Sequence, residues 1–300
     1  MPQPRRLAET LSMTATVPRQ LVHRAAVAET LLTGWRRLAE NRFTVSAQWP
    51  RSHALHVSPD WSSYDPLLVV ETVRQSGTLL SHAEYDVPMG HRFVLDSFDV
   101  TTSWKHLAVG PLPAELDVEV AFTDVQYRGP RPASARYTAH VLRSGDRVAT
   151  AHVAFTCMSD AVYRRLRAGR TSETVLALPV PTGLPPAAVG RALPADVVLA
   201  PSDRDGRWRL RVNTAHPVFF DHPLDHVPGM LLLEAARQAV TVHTVGRRTP
   251  VSYEARFHQY AELDEPAWIQ VVEQDLTGIR VVGLQGGTSL FDCRVGTAEW

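Results

Sequence analysis

Several things this chain lacks narrow its function at once. Lysine is nearly absent: Lys105 is the only one, and the remaining basic residues are arginine. Only two cysteines occur, Cys157 and Cys293, too few for a disulfide scaffold in a chain of 300 residues; both sit in strand-like segments and read as buried small hydrophobes. Net charge is absent too, with 31 basic and 31 acidic residues, so no electrostatic footprint for nucleic acid or an acidic membrane is present. No run of about eighteen apolar residues exists, and no secretory leader is apparent, which sets the expectation of a cytoplasmic protein. Gly-x-Ser-x-Gly elbow, P-loop and dinucleotide fingerprint are all missing.

What is present is ordinary globular material, 44% apolar, long enough for two domains of about 120–150 residues. Arginine, the dominant cation, suits phosphate and carboxylate through its planar fork. Residues 1–20 read as a loosely held polar tail. Residues 21–40 read as a short helix, and Phe43, Val45 and Ala47 alternate as a strand ending at Trp49-Pro50. A helix over roughly 66–83 follows, with Asp65 as N-cap and Pro66 in its first turn. Strands come next, around Phe93–Phe98 and Leu116–Phe122, with a hairpin over 134–157 turning at Ser144-Gly145-Asp146.

A proline-rich linker over 166–205 separates this from a restart of the same order. Trp208, Leu210 and Val212 alternate, a helix runs from Pro228 to about Val245, and four strands close the chain, with Gln285-Gly286-Gly287 as a turn. The element order implies an α+β fold in two repeats, 21–165 and 206–300, each an antiparallel sheet wrapped around one long helix.

The richest stretch runs from Phe219 to Gln238: Asp221, His222, Asp225 and His226, then Pro228-Gly229, then an apolar helix bearing Glu234 and Arg237 on one face. The first helix echoes it, since Glu71, Arg74 and Gln75 stand 163 residues before Glu234, Arg237 and Gln238. Charge in an apolar helix needs partners. The pair alone also admits a salt bridge that orients the helix. The loop adds a reason for chemistry: unpaired amides at a helix start, opened by Pro-Gly, suit a thioester oxyanion. His216, His222 and His226 fall in a proline-broken loop, which argues against a metal site, and Asx-type hydrogen bonds are the plainer reading of Asp221 and Asp225.

From His216 to Gln238 the chain resembles the hotdog-fold acyl-thioester enzymes, and more closely the A-factor biosynthesis family, the γ-butyrolactone and furan autoregulator synthases. Leu21-Val22-His23-Arg24 and Phe43 to Pro50 carry the resemblance into the first half. It implies a double hotdog, and transfer of a β-ketoacyl group from acyl carrier protein to the hydroxyl of dihydroxyacetone phosphate, toward a γ-butyrolactone, furan or butenolide signal that regulates antibiotic biosynthesis. It implies Glu71, Glu234 and Arg237 as catalytic residues, with Gly229, His222, His226, Arg74 and Gln238 binding substrate. No cofactor or metal is implied, and a monomer or homodimer is expected. Related dehydratases carry a loop His where this chain has Phe220, and Ser58, Pro59 and Asp60 hold the first-repeat loop, with His53 and His56 nearby but not placed by the motif. Acyl transfer is therefore favoured over dehydration. A dehydratase, a thioesterase or a non-catalytic acyl-binding protein remain the alternatives. In the expected mechanism Glu71 or Glu234 takes the hydroxyl proton, the helix start at Gly229 holds the thioester oxygen, and Arg237 binds the acceptor phosphate or steers the carboxylate.

Overall fold

The computed structural model describes residues 15–299; the start of the expected polar tail, residues 1–14, lies outside them. The chain divides into two compact units, one made of residues up to 94 and 102–159, the other of 95–101 and 160 onward.

In the first unit the strands β1 (Leu32–Ala39), β2 (Arg42–Trp49), β4 (Ala114–Arg128), β5 (Arg131–Arg143) and β6 (Asp146–Met158) pair antiparallel in that order. The helix α1 (Pro66–Glu84) packs on β1, β4 and β5. Leu67, Leu68, Val69, Val70, Val73, Leu79 and Leu80 are all buried. A helix covered on nearly every side is the inner element of its unit rather than an amphipathic surface helix. Asp65 caps it, accepting from the Leu67 amide at 2.9 Å. Gly77 is needed where α1 meets β5, because a Cβ there would collide with the Tyr137 ring, whose hydroxyl donates to the Val73 carbonyl at 3.0 Å. Ser144 and Gly145 turn β5 into β6 with φ of 52° and 86°, a tight turn in the left-handed region that hairpins favour.

The expected helix over 21–40 is not there. Two short 3-10 turns, Arg19–Val22 and Val27–Glu29, lead instead into β1. Thr30, Thr33 and Gly34 are weak helix formers, and an extended Leu32–Ala39 satisfies its backbone against β2, with Asn41 at φ 56° turning the hairpin. Val17, just before the first turn, is buried and bonded through its amide to the Leu32 carbonyl.

The second unit repeats the plan. The helix α2 (Asp160–Leu166) is followed by 3-10 turns at Pro186–Val189 and Pro194–Asp196 and the strands β7 (Leu199–Ala200) and β8 (Arg207–Leu210). After these come α3 (Gly229–His243), β9 (Arg248–Phe257), β10 (Ala267–Gln274), β11 (Gly278–Gln285) and β12 (Thr288–Glu299). The sheet runs β9-β12-β11-β10-β8-β7, all antiparallel. Part of β3 (Arg92–Thr102), residues 95–101, counts with this unit and pairs with β9. The helix α3 packs on β9 through β12 and on the turn at 186–189. The stretch 166–205 read as a linker thus belongs with the second unit. Cys157 and Cys293 are buried thiols that burial pushes up, Cys157 to about 12.

Candidate active site

Glu234 sits on α3 with no exposed surface, in a run where Leu231, Leu233, Ala235 and Ala236 are buried as well. A lone carboxylate there would be expensive, and two guanidiniums compensate it. Arg237, one turn on, donates to it from Nε and Nη2, each at 2.9 Å. Arg191, just after the turn at 186–189, donates from Nε at 2.8 Å and Nη2 at 2.5 Å. Gln238 adds a third donor at 2.5 Å. Burial works to raise the Glu234 carboxyl, but the Arg191 and Arg237 charges and their hydrogen bonds outweigh it and hold it well below the usual carboxylate range.

The first unit builds the same cluster. Glu71 accepts from Arg24, Arg74 and Gln75 at 3.0, 2.7 and 2.6 Å, and its carboxyl, despite burial, is likewise held low by the two arginines. Even the scaffold bonds match. Arg74 reaches the Val22 carbonyl and Arg237 the Val189 carbonyl. Gln75 bridges the Glu29 carbonyl and the Leu31 amide, and Gln238 bridges the Asp196 carbonyl and the Val198 amide. Sequence reasoning found Glu71, Arg74, Glu234 and Arg237 but missed Arg24 and Arg191 as their partners. The signal was Val22-His23-Arg24 against Val189-Gly190-Arg191, 167 residues apart (191 − 24) rather than the 163 of the helices (234 − 71). Gln238 is fully buried and its amide is spent on Glu234 and the neighbouring backbone.

The repeats differ at their helix starts and beside the arginines. At the helix starts, Pro66 has no N–H and the Asp65 carboxylate caps the next amide. At the equivalent of Pro66 (66 + 163 = 229) stands Gly229, preceded by Pro228 with no side-chain cap. In α3 the Leu231 and Leu232 amides bond the Pro228 carbonyl, and those of Gly229 and Met230 are left open, where in α1 proline and the Asp65 cap occupy the same two places. Beside the arginines, His23 at φ 54° faces His82 and Phe93, whereas the second unit has Gly190 at φ 66°, where even a Cβ would lie only 3.5 Å from Arg237 Nη1.

The loop before α3 separates its histidines. His216 Nε2 lies 3.1 Å from Asp196, and its Nδ1 accepts from the Val218 and Phe219 amides. His222 has the most exposed side chain of the three, with Nδ1 3.5 Å from Asp221. His226 Nδ1 lies 2.9 Å from Asp225 Oδ1. Asp225 is buried and gripped from α2 and the residues after it: Tyr163 donates at 2.7 Å, Arg167 Nε at 2.8 Å. Burial raises the Asp225 carboxyl, and the bonds from His226, Tyr163 and Arg167 overcome this and keep it ionised. Phe220 is buried.

The model of the A-factor biosynthesis hotdog domain matches residues 7–159 and 172–286. A 2-oxo-3-(phosphooxy)propyl 3-oxoalkanoate synthase of Streptomyces virginiae is 47% identical over 291 residues, 95% of this chain and 98% of the relative. A synthase of the same name from Streptomyces griseus is 40% identical over 91% of this chain and 92% of its own. Among solved structures, an acyl-ACP thioesterase from Bacteroides thetaiotaomicron superposes with a TM-score of 0.55 at 11% identity, covering 86% of this chain and 98% of that one. A 12:0-ACP thioesterase from Umbellularia californica gives 0.54 at 10% identity over 88% and 100%. At such identity the likeness is one of fold, and the fold is the double hotdog. No helix among the described residues is long and apolar enough to cross a membrane.

Proposed function

We propose that this chain, which belongs to the A-factor biosynthesis hotdog family, transfers a β-ketoacyl group from an acyl carrier protein thioester to the hydroxyl of dihydroxyacetone phosphate. The observation that carries the reading is the 47% identity to a synthase of that ester over nearly the whole of both chains. In the name, 2-oxo-3-(phosphooxy)propyl is the dihydroxyacetone phosphate moiety and 3-oxoalkanoate the β-ketoacyl group. The product ester would then feed a γ-butyrolactone-type signal. The reading assigns one hotdog repeat to each compact unit, the second opening at Asp160.

The site supports this chemistry in the second repeat. The open amides at the start of α3, Gly229 and Met230, suit the oxygen of the thioester carbonyl as it gains charge. Arg237 and Arg191 form a cationic fork suited to a phosphate, and Gly190 puts no side chain beside it. Glu234 holds both guanidiniums in place. A carboxylate stabilised so far toward its ionised form is a weak base at neutral pH, so positioning suits Glu234, and Glu71 by the same geometry, better than proton transfer.

The test is to incubate the protein with a β-ketoacyl carrier thioester, with and without dihydroxyacetone phosphate, and weigh the products. The phosphorylated β-keto ester should form only with the acceptor. Free β-keto acid at the same rate without it would make the protein a thioesterase, and an unsaturated or unchanged thioester would rule out transfer.

A further inference from the structure

We propose that His226 is the base that removes the acceptor hydroxyl's proton, with Asp225 as its positioning residue. The proposal rests on the acyl-transfer reading and supplies the proton acceptor that the arginine-clamped glutamates do not.

The Tyr163 hydroxyl, 3.2 Å from His226 Nδ1, spends its proton on the ionised Asp225, so Nδ1, 2.9 Å from Asp225 Oδ1, is the donor. That fixes the neutral imidazole in the tautomer whose Nε2 carries the lone pair. The same division of labour, a carboxylate holding an imidazole so that its far nitrogen can take a proton, underlies the acid–base triads. No protein partner occupies His226 Nε2 among the described residues, and the side chain keeps 23% of its surface exposed.

The dyad is built rigidly. Tyr163 and Arg167 hold the Asp225 carboxylate, and Arg167 Nη2 also donates to the Asp225 carbonyl at 3.2 Å. Arg167 binds Glu262 as well, at 2.6 and 2.7 Å, and its guanidinium lies over the Tyr260 ring. Tyr260 meets the His226 ring edge to face, with centroids 4.8 Å apart. A backbone bridge from His226 to Glu262 and a bond from the Val227 amide to the Ala261 carbonyl pin the loop. The charged and titratable groups around the imidazole are thus Asp225, Tyr163, Arg167, Tyr260 and Glu262.

Two relations point to chemistry rather than loop anchoring alone. His226 lies three residues before Gly229, so its Cα stays within about 11 Å of the first open amide of α3. The dyad is also confined to one repeat. Positions 62 and 63, the equivalents of 225 and 226 by the 163-residue offset, are Ser62 and Ser63. The Glu-Arg-Gln cluster occurs in both repeats, whereas the dyad accompanies the open helix start.

The step balances. Nε2 takes the hydroxyl proton as the hydroxyl oxygen bonds to the thioester carbon, and the oxyanion is held at the start of α3. Collapse breaks the C–S bond, and the imidazolium returns the proton to the sulfur, leaving the ester and a free carrier thiol.

The test uses H226A and H226Q in the full chain with a β-ketoacyl carrier thioester and dihydroxyacetone phosphate. H226A should transfer about 10²–10⁴-fold more slowly, bind the thioester within a few-fold of wild type, and recover at least tenfold in rate with added imidazole. H226Q, close to His in size, should fold like wild type and be as slow, with no imidazole rescue because its side chain fills the space. Turnover of either variant within threefold of wild type overturns the proposal, as does a folded, thioester-binding H226A that imidazole leaves unchanged. Wild-type protein that makes no ester at all would instead sink the acyl-transfer reading, and the base assignment with it.

Discussion

Arg191 and Glu234 stand 43 residues apart in the chain and meet through two parallel hydrogen bonds, buried against the inner helix of the second repeat. In the first, Arg24 meets Glu71 with Nε at 3.0 Å and Nη2 at 2.7 Å, both on the single oxygen Oε1. A buried pair of this kind is weak evidence of net stabilisation, but breaking it strands a charge. R191A should therefore lower the unfolding free energy by about 3–5 kcal/mol, measured by urea denaturation. A loss below about 1 kcal/mol would mean that Arg237 and Gln238 alone suffice for Glu234.

The acceptor phosphate is assigned to the same arginines. Removing a charge-assisted contact worth about 1.5–3 kcal/mol should raise the half-saturating dihydroxyacetone phosphate concentration of R237A by roughly 10–100-fold. Half-saturation by unphosphorylated dihydroxyacetone should barely move. An unchanged value for the phosphorylated acceptor in R237A would remove arginine from its recognition.

Glu71 and Glu234 also set how the fold responds to acid. Each has its carboxyl held below the ordinary glutamate value of 4.5, so folding favours the ionised form. By linkage, that stability is fully present above about pH 4.5 and is lost as pH falls below it toward the lowered folded values. Thermal unfolding between pH 3 and 7 should show a steep drop in Tm on the acid side. E234Q should start lower at pH 7 and fall less steeply. An E234Q profile parallel to wild type would show that Glu234 contributes nothing to the acid response.

The two inner helices were legible because Glu-x-x-Arg-Gln recurs within apolar runs, and a helix fixes such residues on one face through local spacing. Arg24 and Arg191 were not, because they reach the glutamates from turns more than forty residues upstream. The repeat offset also slips by four residues between those turns and the helices, which hides the match from a single alignment shift. The segment 21–40 was misread because Leu21, Val22, Ala25, Leu31 and Leu32 fit a helical face on apolar spacing alone. The competing demand came from β2, a non-local strand whose pairing decides the backbone there. Asp225 read as a turn residue for a similar reason: Tyr163 and Arg167, which grip it, lie about sixty residues away.

The central claim is that acyl transfer runs at the open start of α3, and G229P tests it most directly. Proline is at home in the first turn of a helix, as Pro66 is at the matching position of α1, so the substitution removes one N–H and leaves the fold. Single-turnover transfer from the β-ketoacyl carrier thioester should fall about 10²–10³-fold, with Tm unchanged. A folded G229P that transfers at the wild-type rate would contradict the account.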